Sequence, residues 1–191
     1  MGSNGNHCHT CNCRKDVSIN ETNAIAIWTN APTVLPRLRT SFEEIPGEPG
    51  LYRADGGDMI ARVRELLAPL SFFERDAVRA VAIDGNGRFE PWTSAPIEEL
   101  LTRLETPWFA DLLNVECFHF HIQPIADART LGVHGFEALV RADEPYTDKT
   151  PWDMIQAAKA HNALLKFDQT IRAGAIHEAY PRLIKGEKLF I

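Results

Sequence analysis

The sequence predicts a mixed α/β protein in two parts, a small α+β domain followed by the first portion of a β/α domain. Two observations support this prediction. Short apolar runs suited to strands alternate along the chain with segments whose apolar residues recur at helical spacing. Residues 118–123 alternate strictly between apolar and polar side chains, as half-buried strands do. Interleaved strands and helices are typical of proteins in which helices pack on sheets.

The composition is that of a globular protein without a basic surface. Of the 191 residues, 45% are hydrophobic and 24% are charged, and the formal net charge is −6. This length accommodates one domain or two small ones. The negative charge argues against binding to a nucleic-acid polymer. The sequence has no run of about 18 apolar residues and no signal-peptide pattern, so we expect no membrane segment and a cytoplasmic location.

Residues 1–23 are polar and rich in glycine and asparagine, and we expect them to form a flexible tail. The tail carries Cys8, Cys11, Cys13 and His9. The two-residue gap between Cys8 and Cys11 allows two thiolates to bind one metal ion, and Cys13 or His9 would complete a zinc or iron–sulfur site. The alternative is a set of reduced thiols in a mobile terminus, because the second half of a four-ligand motif is missing.

Residues 24–115 are expected to form a small α+β domain with a sensory or regulatory role. Asp58 and Ser94 stand where helix caps are expected, and Ser71 with Glu74 has the spacing of a capping box. In chain order, the expected elements are a strand at 24–28, a helix at 33–42, a short strand at 51–53, a helix at 58–67, a short helix from Ser71, a strand at 78–83, and helices from Ser94 and from Thr106.

The last part of the chain, residues 116–191, opens with a predicted β-hairpin. Apolar and polar residues alternate from Phe118, and Pro124 is expected to end this strand because it lacks a backbone donor. A turn leads to a second strand at 133–140. The remaining expected elements are helices within 151–171 and a strand at 188–191.

Glu137 is the residue that suggests a reaction. It stands in the otherwise apolar second strand, where a buried carboxylate needs a cation, a donor or water. Gln123 ends the first strand and Arg141 ends the second, and an amide with a permanent cation suits recognition of a phosphate or a carboxylate. The alternative is that Glu137 and Arg141 are solvated or pair with each other.

Two histidines stand near these residues. His119 and His121 fall on one side of the first strand, an arrangement that can hold a metal ion, and Gln123 shares that side. We interpret the two histidines as polar contacts and not as metal ligands.

Two strings of residues carry a resemblance to a known family. The first is Gln-Pro-Ile-Ala-Asp at 123–127, and the second is Gly-Phe-Glu-Ala-Leu-Val-Arg at 135–141. Together they resemble the opening of the EAL domain, the family of cyclic-di-GMP phosphodiesterases that is named after this Glu-Ala-Leu tripeptide. The resemblance covers residues 118–191, because it continues through Asn-Ala-Leu-Leu-Lys-Phe-Asp at 162–168 and Lys-Leu-Phe-Ile at 188–191.

The resemblance implies that residues 116–191 are the N-terminal portion of a modified (β/α)8 TIM barrel, whose reaction site lies at the C-terminal ends of its strands. It implies that Glu137 is a catalytic metal ligand, that Gln123 and Arg141 contact the substrate, and that Leu139 lines the same pocket. Two divalent cations, Mg²⁺ or Mn²⁺, would assist the hydrolysis of one phosphodiester bond of cyclic di-GMP to linear pGpG in bacterial signal transduction. A homodimer through the EAL part is a further implied partnership.

Two features separate this sequence from the family's complete pattern. Ala142 stands where the family usually has an aromatic residue, and the family's remaining metal ligands would follow Ile191. We therefore expect the 191-residue chain alone to be inactive and its parent protein to be a phosphodiesterase. Two other classes stay open: a degenerate EAL protein that binds cyclic di-GMP or another protein without cleavage, and a metal or redox sensor formed by the N-terminal cysteines.

Overall fold

A computed structural model of the chain describes residues 24–115 and 117–191. These residues form a mixed α/β structure with helices and two sheets, which confirms the predicted class. The chain divides into two compact units, one ending at Pro96 and one spanning Ile97–Ile191. Within the described residues, no helix is long and apolar enough to cross a bilayer.

The first unit, described from residue 24 onward, contains one antiparallel sheet. In chain order its elements are β1 (Ala24–Thr29), α1 (Leu35–Ser41), β2 (Glu43–Glu44), β3 (Tyr52–Asp55), α2 (Met59–Leu67), α3 (Phe72–Asp76), β4 (Val78–Ala82), a 3-10 turn (Pro91–Thr93) and β5 (Ala95–Pro96). The strands are ordered β2-β3-β1-β4-β5, and every neighbouring pair is antiparallel. Strand β1 is therefore central and hydrogen-bonded on both sides.

The core of the first unit forms because β1 is apolar on both of its faces. Ile25 and Ile27 are fully buried, and helices α1 and α2 pack on β1 and β3. Ala26 belongs to a second buried cluster that includes Val81 of β4. A strand that is buried on both faces requires a continuous apolar run, which residues 24–27 supply.

The capping box predicted at Ser71 is confirmed. Ser71 Oγ accepts a hydrogen bond from the Glu74 N–H at 3.4 Å, and Glu74 Oε2 accepts one from the Ser71 N–H at 2.9 Å. Asp58 occupies the N-cap position of α2, as predicted, but its side chain makes no capping hydrogen bond within the described residues.

The helix cap predicted at Ser94 is wrong. Ala95 and Pro96 form strand β5, which pairs with β4, and the next helix begins only after Pro96. The Ser94 carbonyl instead accepts a hydrogen bond from Arg79 Nη2 at 2.8 Å. The residue before a proline disfavours the helical conformation, so Ala95 is extended and separates Ser94 from the helix.

The second unit contains a three-stranded sheet and the remaining helices. In chain order its elements are α4 (Ile97–Glu105), α5 (Trp108–Val115), β6 (Phe118–Ala126), β7 (Val133–Ala142), α6 (Pro151–Ala160), α7 (Leu164–Gly174), a π-helical turn (Ala175–Ala179), a 3-10 turn (Tyr180–Arg182) and β8 (Leu189–Phe190). Strands β6 and β7 form the predicted hairpin, and β8 pairs with β7 in parallel. The chain crosses from β7 to β8 through α6 and α7, as a parallel pair requires. In the described part of the chain this sheet is open and closes no barrel.

Helices α4 and α5 belong to the second unit. Phe109 of α5 and Phe167 of α7 are buried in one cluster, and Arg103 Nε of α4 donates a hydrogen bond to Ala160 O at the end of α6, at 2.7 Å. The sequence predicts both helices within the first domain, residues 24–115, whereas the two compact units divide between Pro96 and Ile97. The apolar face of each helix could pack on either sheet. The spacing of the apolar residues predicts a helix but not the sheet on which it packs.

Strand β6 continues through Pro124, and the expectation that it ends there is wrong. Pro124 lies opposite Phe136 in the ladder with β7, and the Phe136 N–H donates to Lys188 O at 2.9 Å, away from β6. The backbone groups of this pair therefore point away from each other. Because β6 is also an edge strand, the proline removes no ladder hydrogen bond.

The cap of α6 predicts a pH dependence of stability. Thr150 donates to Asp153 Oδ2 from its hydroxyl at 2.6 Å and from its N–H at 2.9 Å, and these bonds hold the pKa of the Asp153 carboxyl below its usual value. Since the pKa is lowered in the folded state, the stabilisation is present above the unfolded-state pKa of about 3.9 and is lost as the pH falls through the folded-state pKa. We expect the midpoint temperature of unfolding to decrease as the pH is lowered below about 4. The decrease should be less steep in Asp153→Asn.

Circular dichroism melts of both proteins at a series of pH values measure this difference. Glu74 and Asp127 also have pKa values lowered by hydrogen bonds to backbone N–H groups, so the wild type and the variant share their contribution. Identical pH slopes in the two proteins would show that the α6 cap contributes nothing.

Candidate functional site

Antiparallel pairing of β6 and β7 brings the sequence-predicted site residues to one face of the sheet. Residues directly opposite each other in such a pair, and alternate residues along one strand, project from the same face. Gln123 lies opposite Glu137, His121 opposite Leu139, and His119 opposite Arg141. We call the face that carries these six residues the polar face.

The other face of the hairpin is apolar and packs against helices. Phe118 and Val140 contact the buried cluster formed by α5, α6 and α7. Phe120, Ile122 and Ala138 contact the π-helical turn. A slip of one residue in the pairing would exchange the two faces, so burial of the apolar face determines where the polar residues project.

Glu137 projects from the middle of β7. The residue is exposed, and its side chain makes no hydrogen bond or ion pair with the described residues. The parallel strand β8 approaches closely on the side away from β6, where Phe190 pairs with Glu137. Gly135 permits this approach, because a Cβ there would lie 2.7 Å from Phe190 Cε2 and 3.0 Å from Lys188 O. The carboxylate is thus held on a rigid strand and is accessible to a cation.

Gln123 and Arg141 share the polar face with this carboxylate: Gln123 lies directly opposite Glu137, and Arg141 lies four residues further along β7. Gln123 is exposed, and Arg141 is half-buried at the C-terminal end of β7. Arg141 Nη1 donates to the Val140 carbonyl at 2.7 Å, which restrains the side chain along the strand. Its other guanidinium N–H groups suit an anionic oxygen, as the sequence analysis anticipated for Arg141.

His119 and His121 contact each other on the polar face. Their Nε2 atoms lie 3.2 Å apart, and His119 Nδ1 lies 2.7 Å from Asp143 Oδ1. The sequence predicts polar contacts for both histidines and does not single out Asp143. Extending the pairing of β6 and β7 by one residue locates Asp143, because the Asp143 N–H donates a hydrogen bond to Cys117 O. Alternation along the strand then puts residue 143 on the same face as Arg141.

Metal ligands predicted from the sequence lie in two places. Glu137 is on the polar face, and the N-terminal cluster of Cys8, Cys11, Cys13 and His9 lies outside the described residues. Within residues 24–115 and 117–191, no three His, Cys, Asp or Glu side chains converge on one point. The oxygen donors of Glu137 and Gln123 are of the type that Mg²⁺ and Mn²⁺ prefer.

No family model matches the chain, and no curated protein matches it. The resemblance to the EAL domain therefore depends on the quoted residues.

Proposed function

We propose that residues 116–191 are the start of an EAL-type barrel and that the protein hydrolyses cyclic di-GMP to linear pGpG. The observation that carries this proposal is the common face of Gln123, Glu137, Leu139 and Arg141. These are the positions to which the resemblance assigns the metal ligand and the substrate contacts. They are separated by up to 18 positions in the sequence, from 123 to 141, and only the strand pairing brings them together.

The layering of the second unit supports the same proposal. In a β/α barrel the helices cover the outer face of the strands, and the functional side chains come from the C-terminal ends of the strands. Here helices cover the apolar face of the hairpin, and the parallel pair β7 and β8 is connected through helices. Arg141 lies near the C-terminal end of β7, the end at which barrels build their sites.

The reaction requires neutralisation of an anionic phosphodiester. Water attacks the phosphorus, a new P–O bond forms, and the P–O bond to the 3′ oxygen breaks, which leaves a 3′ hydroxyl and the 5′ phosphate of pGpG. Divalent cations supply positive charge to the phosphate oxygens and lower the pKa of the attacking water. Glu137 would hold a cation, Arg141 and Gln123 would orient the phosphate and nucleotide, and Leu139 would line the same pocket.

The proposal assigns the protein to the cytoplasm, where cyclic di-GMP acts as a second messenger. The resemblance places one metal-binding carboxylate, Glu137, in these 191 residues. Divalent cations need several oxygen ligands each, so Glu137 alone is not expected to support turnover.

The full-length gene product is expected to convert cyclic di-GMP to pGpG in the presence of Mg²⁺ or Mn²⁺, as followed by chromatography of the nucleotides. Arg141→Lys should raise KM by about 10- to 100-fold, because lysine cannot reproduce a forked contact with phosphate. Arg172→Lys is the matched control, since Arg172 is exposed and pairs with Asp168 on α7.

Measuring cyclic-di-GMP binding alongside turnover separates a phosphodiesterase from a receptor that binds the nucleotide without cleavage. Nucleotide binding without turnover would replace the phosphodiesterase by a cyclic-di-GMP receptor. A protein that neither binds nor cleaves cyclic di-GMP would refute both the phosphodiesterase and the nucleotide receptor.

A further inference from the structure

We propose that His119 and His121 form a binding site for a transition-metal ion such as Zn²⁺, with Asp143 as the carboxylate that orients His119. The site consists of these three side chains and the contacts among them. It requires no nucleotide and stands apart from the phosphodiesterase proposal.

The separation of the two imidazoles matches shared coordination. His119 and His121 are alternate residues of β6, so both rings project from the polar face. Their Nε2 atoms are 3.2 Å apart. Two nitrogen ligands at 2.0–2.1 Å from one tetrahedral zinc ion lie about 3.3 Å from each other. The strand thus holds the pair near the required spacing before any ion binds.

Asp143 supplies the partner that metal-binding histidines usually have. Its Oδ1 lies 2.7 Å from His119 Nδ1. A proton on Nδ1 that is donated to this carboxylate leaves the lone pair of His119 on Nε2, facing His121 Nε2, and both lone pairs are available to an ion when His121 also carries its proton on Nδ1. Carboxylates in this position fix the tautomer, orient the ring and make the imidazole more basic, and their loss typically weakens metal binding 10- to 100-fold.

The ligand set selects the class of ion. Imidazole nitrogen suits Zn²⁺, Cu²⁺ and Ni²⁺, whereas Mg²⁺ prefers oxygen. Two protein ligands leave two positions of a tetrahedral ion for water or an incoming anion, one more than in catalytic zinc sites, which have three protein ligands. Arg141 lies opposite His119 and adds a positive charge to this face, which the carboxylates of Asp143 and Glu137 offset.

Cobalt binding to the full 191-residue chain tests the site. The background variant Cys8→Ser/Cys11→Ser/Cys13→Ser removes thiolate ligands, so a bound Co²⁺ shows visible bands without sulfur charge transfer. We expect one Co²⁺ per chain, displaced by Zn²⁺ and not by a large excess of Mg²⁺. In this background, His119→Asn or His121→Asn should weaken binding more than tenfold, and Asp143→Asn about tenfold.

His177→Asn is the matched control, because His177 is an exposed histidine of the π-helical turn. It should leave the Co²⁺ affinity unchanged. Circular dichroism of each variant checks that the hairpin stays folded. Unchanged affinity in His119→Asn and His121→Asn, or an equal loss in His177→Asn, would overturn the proposed site.

Discussion

Replacing Glu137 by glutamine is expected to lower kcat for cyclic di-GMP hydrolysis about 10³-fold or more in the full-length gene product. Glutamine has nearly the same shape but no negative charge, so it binds a divalent cation much less tightly. The cation stabilises charge that develops on the phosphate, and this stabilisation is largest in the transition state. The loss should therefore appear in kcat, whereas the dissociation constant for cyclic di-GMP should change less than about tenfold.

The same substitution should leave folding intact. Glu137 is exposed, and its carboxylate has no hydrogen-bonding or ionic partner within the described residues, so its charge stabilises neither β7 nor its neighbours. Glu48→Gln, in an exposed loop of the first unit, is the matched control and should retain full turnover. Turnover of Glu137→Gln at the wild-type rate would exclude this carboxylate as a catalytic metal ligand.

Replacing Phe109 by alanine is expected to lower the free energy of unfolding by about 3–5 kcal/mol. Phe109 is 1% exposed, and its ring centroid lies 5.8 Å from that of Phe167 and 5.5 Å from that of His161. Truncation removes most of the ring's apolar burial and leaves a cavity between α5, α6 and α7, which are too well connected to collapse around it.

Chemical denaturation measures this loss, and amide hydrogen exchange locates it. Protection should decrease more in α6 and β7 than in β1 and β4, because Phe109 packs within the second unit. Trp152→Ala is the matched control: Trp152 lies on α6 but is 67% exposed, and its loss should cost less than about 1 kcal/mol. If Phe109→Ala were as mild as Trp152→Ala, α5 would not be part of this core.

Local patterns in the sequence predicted the elements wherever neighbouring residues decide the backbone. The capping box of Ser71 and Glu74 is confirmed, because both partners lie within one turn of chain. The cap predicted at Ser94 is wrong because a distant partner decides the backbone there. Pro96 favours an extended Ala95, and the two residues pair with β4 as a strand. The prediction that Pro124 ends β6 is wrong for a related reason. Whether a proline removes a ladder hydrogen bond depends on the direction in which the backbone of its partner, Phe136, points.

The candidate site was predicted in part. Gln123, Glu137 and Arg141 were identified from residue type and motif, and alternation already placed His119, His121 and Gln123 on one side of β6. Asp143 was not identified, because its role depends on a contact with His119, 24 positions earlier in the chain. Such a contact exists only once the hairpin register is set.

The amino-acid sequence alone determined which segments alternate, where a carboxylate interrupts an apolar strand, and which motif surrounds Glu137, since these are properties of adjacent residues. The tertiary structure decided the strand register, the face on which Glu137 and Gln123 meet, and the unit to which α4 and α5 belong. The physical reason is that apolar burial favours any partner of suitable shape. The choice among partners is therefore made by the packing of Phe109, Phe167 and the apolar face of the hairpin in one core.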